Sequence, residues 1–238
     1  MKQRSFWCMG IILYIICALA TVFIMISSIA DFILSHGEKF LCAFIIFAMG
    51  FMASSLLCKA KAQKAKTIMQ ASLIWLFAVY VLVVVDFTLV SGSFGRNISN
   101  IFNLSTNEVR KYIDNNTNIV PLATVKLYIN AYKADNIMPY IVAENLLGNF
   151  LVFMPFAFFV PVLIKAINSA WRFLAFICAV VLVVELLQIV FLTGSADIDD
   201  FILNVTGAMA AYGIMQITAV QKVINKLTGG YECSADKS

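Results

Sequence analysis

Three stretches of an otherwise apolar chain carry side chains able to do chemistry: Ile141-Val-Ala-Glu-Asn-Leu-Leu-Gly-Asn149, Glu185-Leu-Leu-Gln188 and Asp197-Ile-Asp-Asp-Phe-Ile-Leu-Asn-Val-Thr-Gly207. A carboxylate accepts hydrogen bonds, can hold a cation and can carry a proton, while an amide both donates and accepts. Asn145 and Asn149 are four residues apart, Glu185 and Gln188 three, and Asp200 and Asn204 four. On helices, each pair therefore shares one face. The candidate binding residues are Asn145, Asn149, Glu185, Gln188, Asp197, Asp200 and Asn204.

The chain holds no G-x-S-x-G, no H-E-x-x-H and no Walker loop, so no familiar catalytic signature accompanies these acids. His36 is the only histidine and is expected in a loop. No catalytic residue is assigned; were the protein an enzyme, Glu185 would be its general acid or base, tuned by burial. Asp197-Ile-Asp-Asp200 could hold a divalent cation or simply begin a helix, where Asp suits the cap and the dipole. The cap is the expectation for Asp197, Asp200 stays open, and no metal or cofactor is called. No pair of the six cysteines has metal-ligand or redox spacing, so buried or interfacial thiols are expected.

The elements that must position these residues are transmembrane helices. Of 238 residues, 62% are hydrophobic and only 13% charged, and the mean hydropathy is +0.91, far from the usual soluble mixture. Crossing about 30 Å of hydrocarbon takes roughly 20 apolar residues, and six stretches qualify: about 7–30, 40–57, 69–90, 143–164, 171–192 and 201–220. The expected fold is all-α, a multi-pass transmembrane bundle. A signal peptide ending near Ala18-Leu-Ala20 is the alternative reading of the N-terminus, but the apolar run continues to Ala30, which favours a retained span.

Basic residues concentrate in short cytoplasmic loops. Lys2 and Arg4 precede the first span, Lys59, Lys61, Lys64 and Lys66 follow the second, Lys165 and Arg172 lie between the fourth and fifth, and Lys222 and Lys226 follow the sixth. The other short loops carry Asp31, Glu38 and Lys39, and Asp197, Asp199 and Asp200. Both termini are thus expected in the cytoplasm. The chain divides into three N-terminal spans over 1–90, an extracytoplasmic loop over 91–142, a three-helix core over 143–220 and a cytoplasmic tail over 221–238. The 91–142 stretch is Asn- and Ser-rich and reads as an exposed loop, functional or disordered at that length.

On this topology Asn149 and Glu185 both lie about 9–10 Å below the outer boundary, with Asn204 slightly shallower, so the three polar stripes can meet. A carboxylate in mid-membrane costs about 2.5–3.5 kcal/mol on insertion scales; Glu185 should therefore point into the bundle. Two roles stay open: a functional site, or amide and carboxylate bonds that only hold helices together. Gly148, and Gly207, Ala208, Ala211 and Gly213, are expected to let helices approach closely. Pro155 should kink the fourth span.

At these residues the sequence resembles the VanZ-like family of bacterial membrane proteins. The blocks are Asn118-Ile-Val-Pro-Leu122, Asn145-Leu-Leu-Gly-Asn149 with Phe153-Met-Pro155, Glu185-Leu-Leu-Gln188, and Asp197-Ile-Asp-Asp200 with Asn204 and Gly207. They run over about 118–216, leaving the first two spans outside the family core. The family's founding member is associated with resistance to the glycopeptide teicoplanin. The resemblance implies a bacterial plasma-membrane protein with an outward-facing polar site that alters sensitivity to such antibiotics. Its expected partners are membrane lipids, a lipid-linked cell-wall precursor or the antibiotic itself; no nucleic acid is expected. An intramembrane enzyme acting on a lipid-linked substrate, or a small transporter, is the alternative. Many relatives carry an arginine before the acidic block where this chain has Gly194-Ser-Ala196, so a cationic partner is missing or comes from elsewhere, Arg96 being one candidate.

Overall fold

The computed structural model describes residues 2–29, 36–90, 106–134 and 136–227. The helices of its apolar runs are α1 (Lys2–Ile29), α2 (His36–Ala60), α3 (Ala65–Val85), α6 (Pro139–Val152), α7 (Phe156–Leu163), α8 (Ala170–Val190) and α9 (Ile198–Met215). Shorter helices are α4 (Thr106–Asn115), α5 (Ala123–Lys133) and α10 (Thr218–Leu227). The only strands among the described residues are the two-residue β1 (Thr117–Asn118) and β2 (Ala196–Asp197). The protein is an all-α multi-pass bundle: five spans are long and apolar enough to cross a membrane, and a sixth if α9 and α10 count as one.

That sixth span, expected over about 201–220, is not one continuous helix. Gln216 and Ile217 separate α9 from α10, and the pair bends by 82°. The fourth span is also interrupted, at Phe153–Pro155, between α6 and α7, because Pro155 brings no N–H to continue the ladder and takes the N-cap position of α7. His36, expected in a loop, is the first residue of α2. Lys39, also read as a loop residue, lies within α2 and is buried.

The chain forms two compact units. In the first, Cys17 and Ile24 of α1, Ile46 of α2 and Val79 of α3 make one core, with Trp75 and Met49 packed on it. Tyr14 shares a 2.6 Å hydrogen bond with Ser54 and meets the Trp75 ring edge-on at 4.9 Å. A five-residue π-helical turn, Asp86–Val90, ends α3. Many large apolar side chains remain exposed, Leu19, Phe44 and Ile26 among them, as expected of a surface solvated by hydrocarbon rather than water.

The second unit is built on α9, which packs on α6, α7 and α8. Phe153, Val160, Phe173, Ile177, Val181 and Ala208 are buried there, and Phe173 stacks on Tyr212 at 4.7 Å. At its start, α8 is capped by Ser169, whose hydroxyl accepts the Arg172 N–H. The α6–α9 crossing is very close: a Cβ on Gly207 would fall 1.7 Å from the Phe150 carbonyl oxygen. Close approach at Gly148 and Gly213 is not found, since a Cβ at either would meet nothing within 4 Å. Hydrophobic spacing puts small residues on a helix, but only the crossing partner decides which of them is needed.

Gly207→Ala must therefore push α6 and α9 apart, an overpacking cost of about 1–3 kcal/mol, seen as lower membrane abundance and a lower melting temperature in detergent. Gly148→Ala and Gly213→Ala should be neutral or stabilising by up to about 1 kcal/mol from helix propensity. Equal behaviour of all three variants would contradict the crossing.

Candidate functional site

At one end of the second unit, the acidic block of α9 meets the segment between α4 and α6. Asp197, in extended conformation, caps α9: its Oδ1 accepts the Asp199 N–H at 2.9 Å. The same carboxylate accepts the Asn118 amide at 3.0 Å and the Thr124 hydroxyl at 2.5 Å. Asp199, 1% exposed, accepts the backbone N–H groups of Leu122, Thr124 (2.8 Å) and Val125 (3.1 Å).

These three donors are the orphan amides at the start of α5. The N-cap position of α5 is Leu122, in the left-handed region at φ 63°, with no capping side chain of its own. A left-handed backbone costs about 1–2 kcal/mol for a residue with a Cβ. Hydrogen bonds to a charged acceptor contribute about 1.5–3 kcal/mol each, so the Asp199 carboxylate more than offsets that strain. A carboxylate from α9 thus acts as the cap of α5, where the helix dipole also favours negative charge.

The Asn118-to-Leu122 block is shaped for this. The Asn118 side chain accepts the Val120 N–H at 3.0 Å, an Asx turn, and the Ala123 N–H bonds the Val120 carbonyl at 3.2 Å. Strands β1 and β2 pair in parallel, Thr117 with Ala196 and Asn118 with Asp197, and the Ala196 N–H reaches the Asn116 carbonyl at 2.8 Å. The Tyr112 hydroxyl of α4 donates to the Gly194 carbonyl at 2.8 Å. A side chain at Gly194 would lie 3.1 Å from Gln188 Cδ, which places Gln188 beneath this connection. The α8 terminus turns through Leu192 at φ 51°, with the Thr193 N–H closing on the Gln188 carbonyl at 2.9 Å, a Schellman-type end.

Asp200 does something else. Its carboxylate accepts the Asn149 side-chain amide of α6, near the Gly207–Phe150 crossing, and it is only partly buried. Tyr128 stands one turn after Thr124, on the α5 face turned to α9. Its hydroxyl is held above the ordinary phenol range, first by burial and then by the carboxylates of Asp200 and Asp197. Asn204, one turn beyond Asp200 and 4% exposed, has a side-chain oxygen without a hydrogen-bond partner, as does the Thr193 hydroxyl.

Of the residues expected from sequence, the structure joins Asn149 to Asp200 and makes Asp197 a cap. Asn145 instead donates to the Ile141 carbonyl of its own helix at 2.8 Å. Glu185 and Gln188 are buried on α8, the helix that packs on α9. Arg96 lies outside the described residues. Sequence reasoning missed Tyr112, Thr124 and Tyr128, which sit in the segment read as a loop; the recurrence of apolar residues at Val125, Leu127, Tyr128 and Ala131 was the available signal for a helix there. It also missed Asp86, a charged residue 1% exposed in the third span. Among the described residues no group of three His, Cys, Asp or Glu side chains is placed to hold a metal ion. What the contacts offer is hydrogen bonding: the Asp200 carboxylate of α9 with the Asn149 amide of α6, and the Tyr128 phenol of α5 within their electrostatic reach.

A family model described as VanZ/LLP1 matches residues 77–219, more than half of the chain. The protein belongs to the VanZ/LLP1 family. The match encloses every block of the site and starts inside α3, so the VanZ/LLP1 region takes in Asp86 and the π-helical turn as well. No curated protein and no solved structure matches the chain.

Two measurements follow. Asp199→Ala should accelerate hydrogen exchange at the Leu122, Thr124 and Val125 amides about a hundredfold, the equivalent of about 3 kcal/mol. Asp199→Asn, with one acceptor oxygen left, should fall between, and unchanged protection in the alanine variant would refute the cap. In a chain labelled at tyrosine carbons, Tyr128 should ionise above about pH 10. Because its folded pKa is raised, its contribution to stability is complete below the unfolded value and lost as pH rises through the folded one. Asp200→Asn should bring the titration down part of the way, leaving the burial component; no change would separate Tyr128 from Asp200.

Proposed function

We propose that this VanZ/LLP1 protein resides in the bacterial plasma membrane with the polar end of the α6–α8–α9 bundle facing outward, and that it alters sensitivity to teicoplanin-type glycopeptide antibiotics. The ligand would be an envelope lipid, a lipid-linked cell-wall precursor or the antibiotic. The observation that carries this reading is the Asn149–Asp200 contact. It brings polar groups from two spans together beside a third span that buries Glu185, under a segment pinned by Asp197 and Asp199. The distribution of lysine and arginine supports the outward direction.

Burial of Glu185, 9% exposed in an apolar helix, also supports a second reading, an intramembrane enzyme on a lipid-linked substrate with Glu185 as its acid or base. The two differ in what a charge-free isostere does.

Deleting the gene should shift the teicoplanin concentration that inhibits growth, and a plasmid copy should restore it. Glu185→Gln and Asp200→Asn should insert at normal abundance, since the amides keep shape and hydrogen bonding, yet fail to restore the phenotype. Full restoration by both would reduce these residues to helix glue. Equal sensitivity of deleted, restored and overexpressing cells would remove the antibiotic reading, and turnover of a lipid-linked precursor lost in Glu185→Gln would select the enzyme.

A further inference from the structure

We infer that α2, which precedes the region matched to the VanZ/LLP1 family, supplies the counter-charge for an acid inside that region: Lys39 pairs with Asp86, in the π-helical turn that ends α3. Both side chains are almost fully enclosed within the first unit, Lys39 at 2% exposure and Asp86 at 1%. A charge buried in a span is costly and calls for an opposite charge beside it. From α1 to the π-helical turn, the acids among the described residues are Glu38 and Asp86, and Glu38 is exposed. The other described basic residues of this stretch, Lys2, Arg4 and the lysines from 59 to 66, lie at the opposite end of the helices.

The register of the hairpin brings the two charges level. Joined by the short connection Lys61–Lys64, α2 and α3 run antiparallel. Along them Cys58 Sγ donates to the Ala65 carbonyl at 3.5 Å, a Cβ on Gly50 would lie 2.6 Å from Leu76 Cδ2, and the Phe47 and Tyr80 rings stand 6.3 Å apart. Ile46 and Val79 share the core of the unit with Cys17 and Ile24. Lys39 is seven residues before Ile46, and Asp86 is seven after Val79. Seven residues make about two helical turns, so each charge repeats the inward face of its core residue. Because the helices run in opposite directions, both steps lead to the same end. The α-helix gives way to the π-helical turn at Asp86 itself, a widening frequent at functional positions, and this turn also packs on α1. Toward the same end of α1, Ser27 is 3% exposed and donates to the Ile24 carbonyl at 2.7 Å, which leaves its oxygen able to accept from the Lys39 ammonium. The match to the family begins at residue 77. The spans before it thereby neutralise a charge that belongs to the family region.

The test titrates the full-length chain with sodium dodecyl sulfate in mixed micelles. Lys39→Met and Asp86→Leu each leave one buried charge without the other, and each should lower the folded-to-unfolded ratio about a hundredfold. The double variant has no charge left to bury and should return to the original ratio or exceed it. Lys39→Asp with Asp86→Lys should recover part of the loss. Single variants that keep the original ratio, or a double variant whose loss is the product of the two single losses, would overturn the pair. A second measurement does not depend on the stability of the charge variants. In the full-length chain freed of its other cysteines, Lys39→Cys with Asp86→Cys should react with dibromobimane, which fluoresces once both arms have reacted. Lys39→Cys with Leu82→Cys, a position on the exposed face one turn earlier, should not. Equal fluorescence from the two chains, or none from the first, would overturn the placement.

Discussion

The second unit depends on one interaction, the Asp199 carboxylate gripping the N–H groups at the start of α5. A helix that begins at a leucine in left-handed conformation has no means of satisfying its own first amides. Asp199 supplies that from α9, and in doing so fixes α5 over the acidic end of the bundle. The arrangement is mutual. Asp199 is almost fully buried, and a carboxylate is tolerated there only because donors surround it. Each partner satisfies polar groups that the other would leave buried and unpaired, which ties α5 to the start of α9.

This divides the acidic block by role. Asp197 and Asp199 have their oxygens committed to Asn118, Thr124 and backbone amides, so they shape the site and are poorly suited to bind anything else. Asp200 is turned toward Asn149 and Tyr128 and is partly exposed. Three acids within four residues thus do two jobs, because successive helical positions point about 100° apart. The close crossing at Gly207 brings the same two helices together, with Phe150 next to Asn149 on α6.

Much of the fold was legible because hydrocarbon imposes a coarse rule: an apolar run of sufficient length becomes a span. Five spans follow it. The sixth run is instead broken after Met215, where Gln216 and Ile217 separate α9 from α10, a break that a count of apolar residues does not register. Within the site, the four-residue spacing of Asp200 and Asn204 and of Asn145 and Asn149 marked polar faces, and one member of each pair takes part in the contact found. Asn145 does not, since an asparagine in a helix can satisfy itself on the carbonyl four residues back. The docking of Asn118–Val125 on Asp197 and Asp199 was out of reach of periodicity. It joins residues more than seventy apart through a two-residue parallel bridge and backbone donors that leave no mark in side-chain pattern. The resemblance brought both blocks into view without saying that they touch.

Function rests on which side of the membrane this polar end faces, and one labelling experiment decides it. Ser195 stands in the connection between α8 and α9, beside the bridge formed by Ala196. A chain carrying Ser195→Cys as its sole cysteine, treated in intact cells with a membrane-impermeant maleimide, should be labelled as fully as in opened membranes if the site faces outward. Labelling that appears only after the cells are opened would place Asp200 and Asn149 on the cytoplasmic side and contradict a role in meeting an antibiotic or envelope ligand from outside.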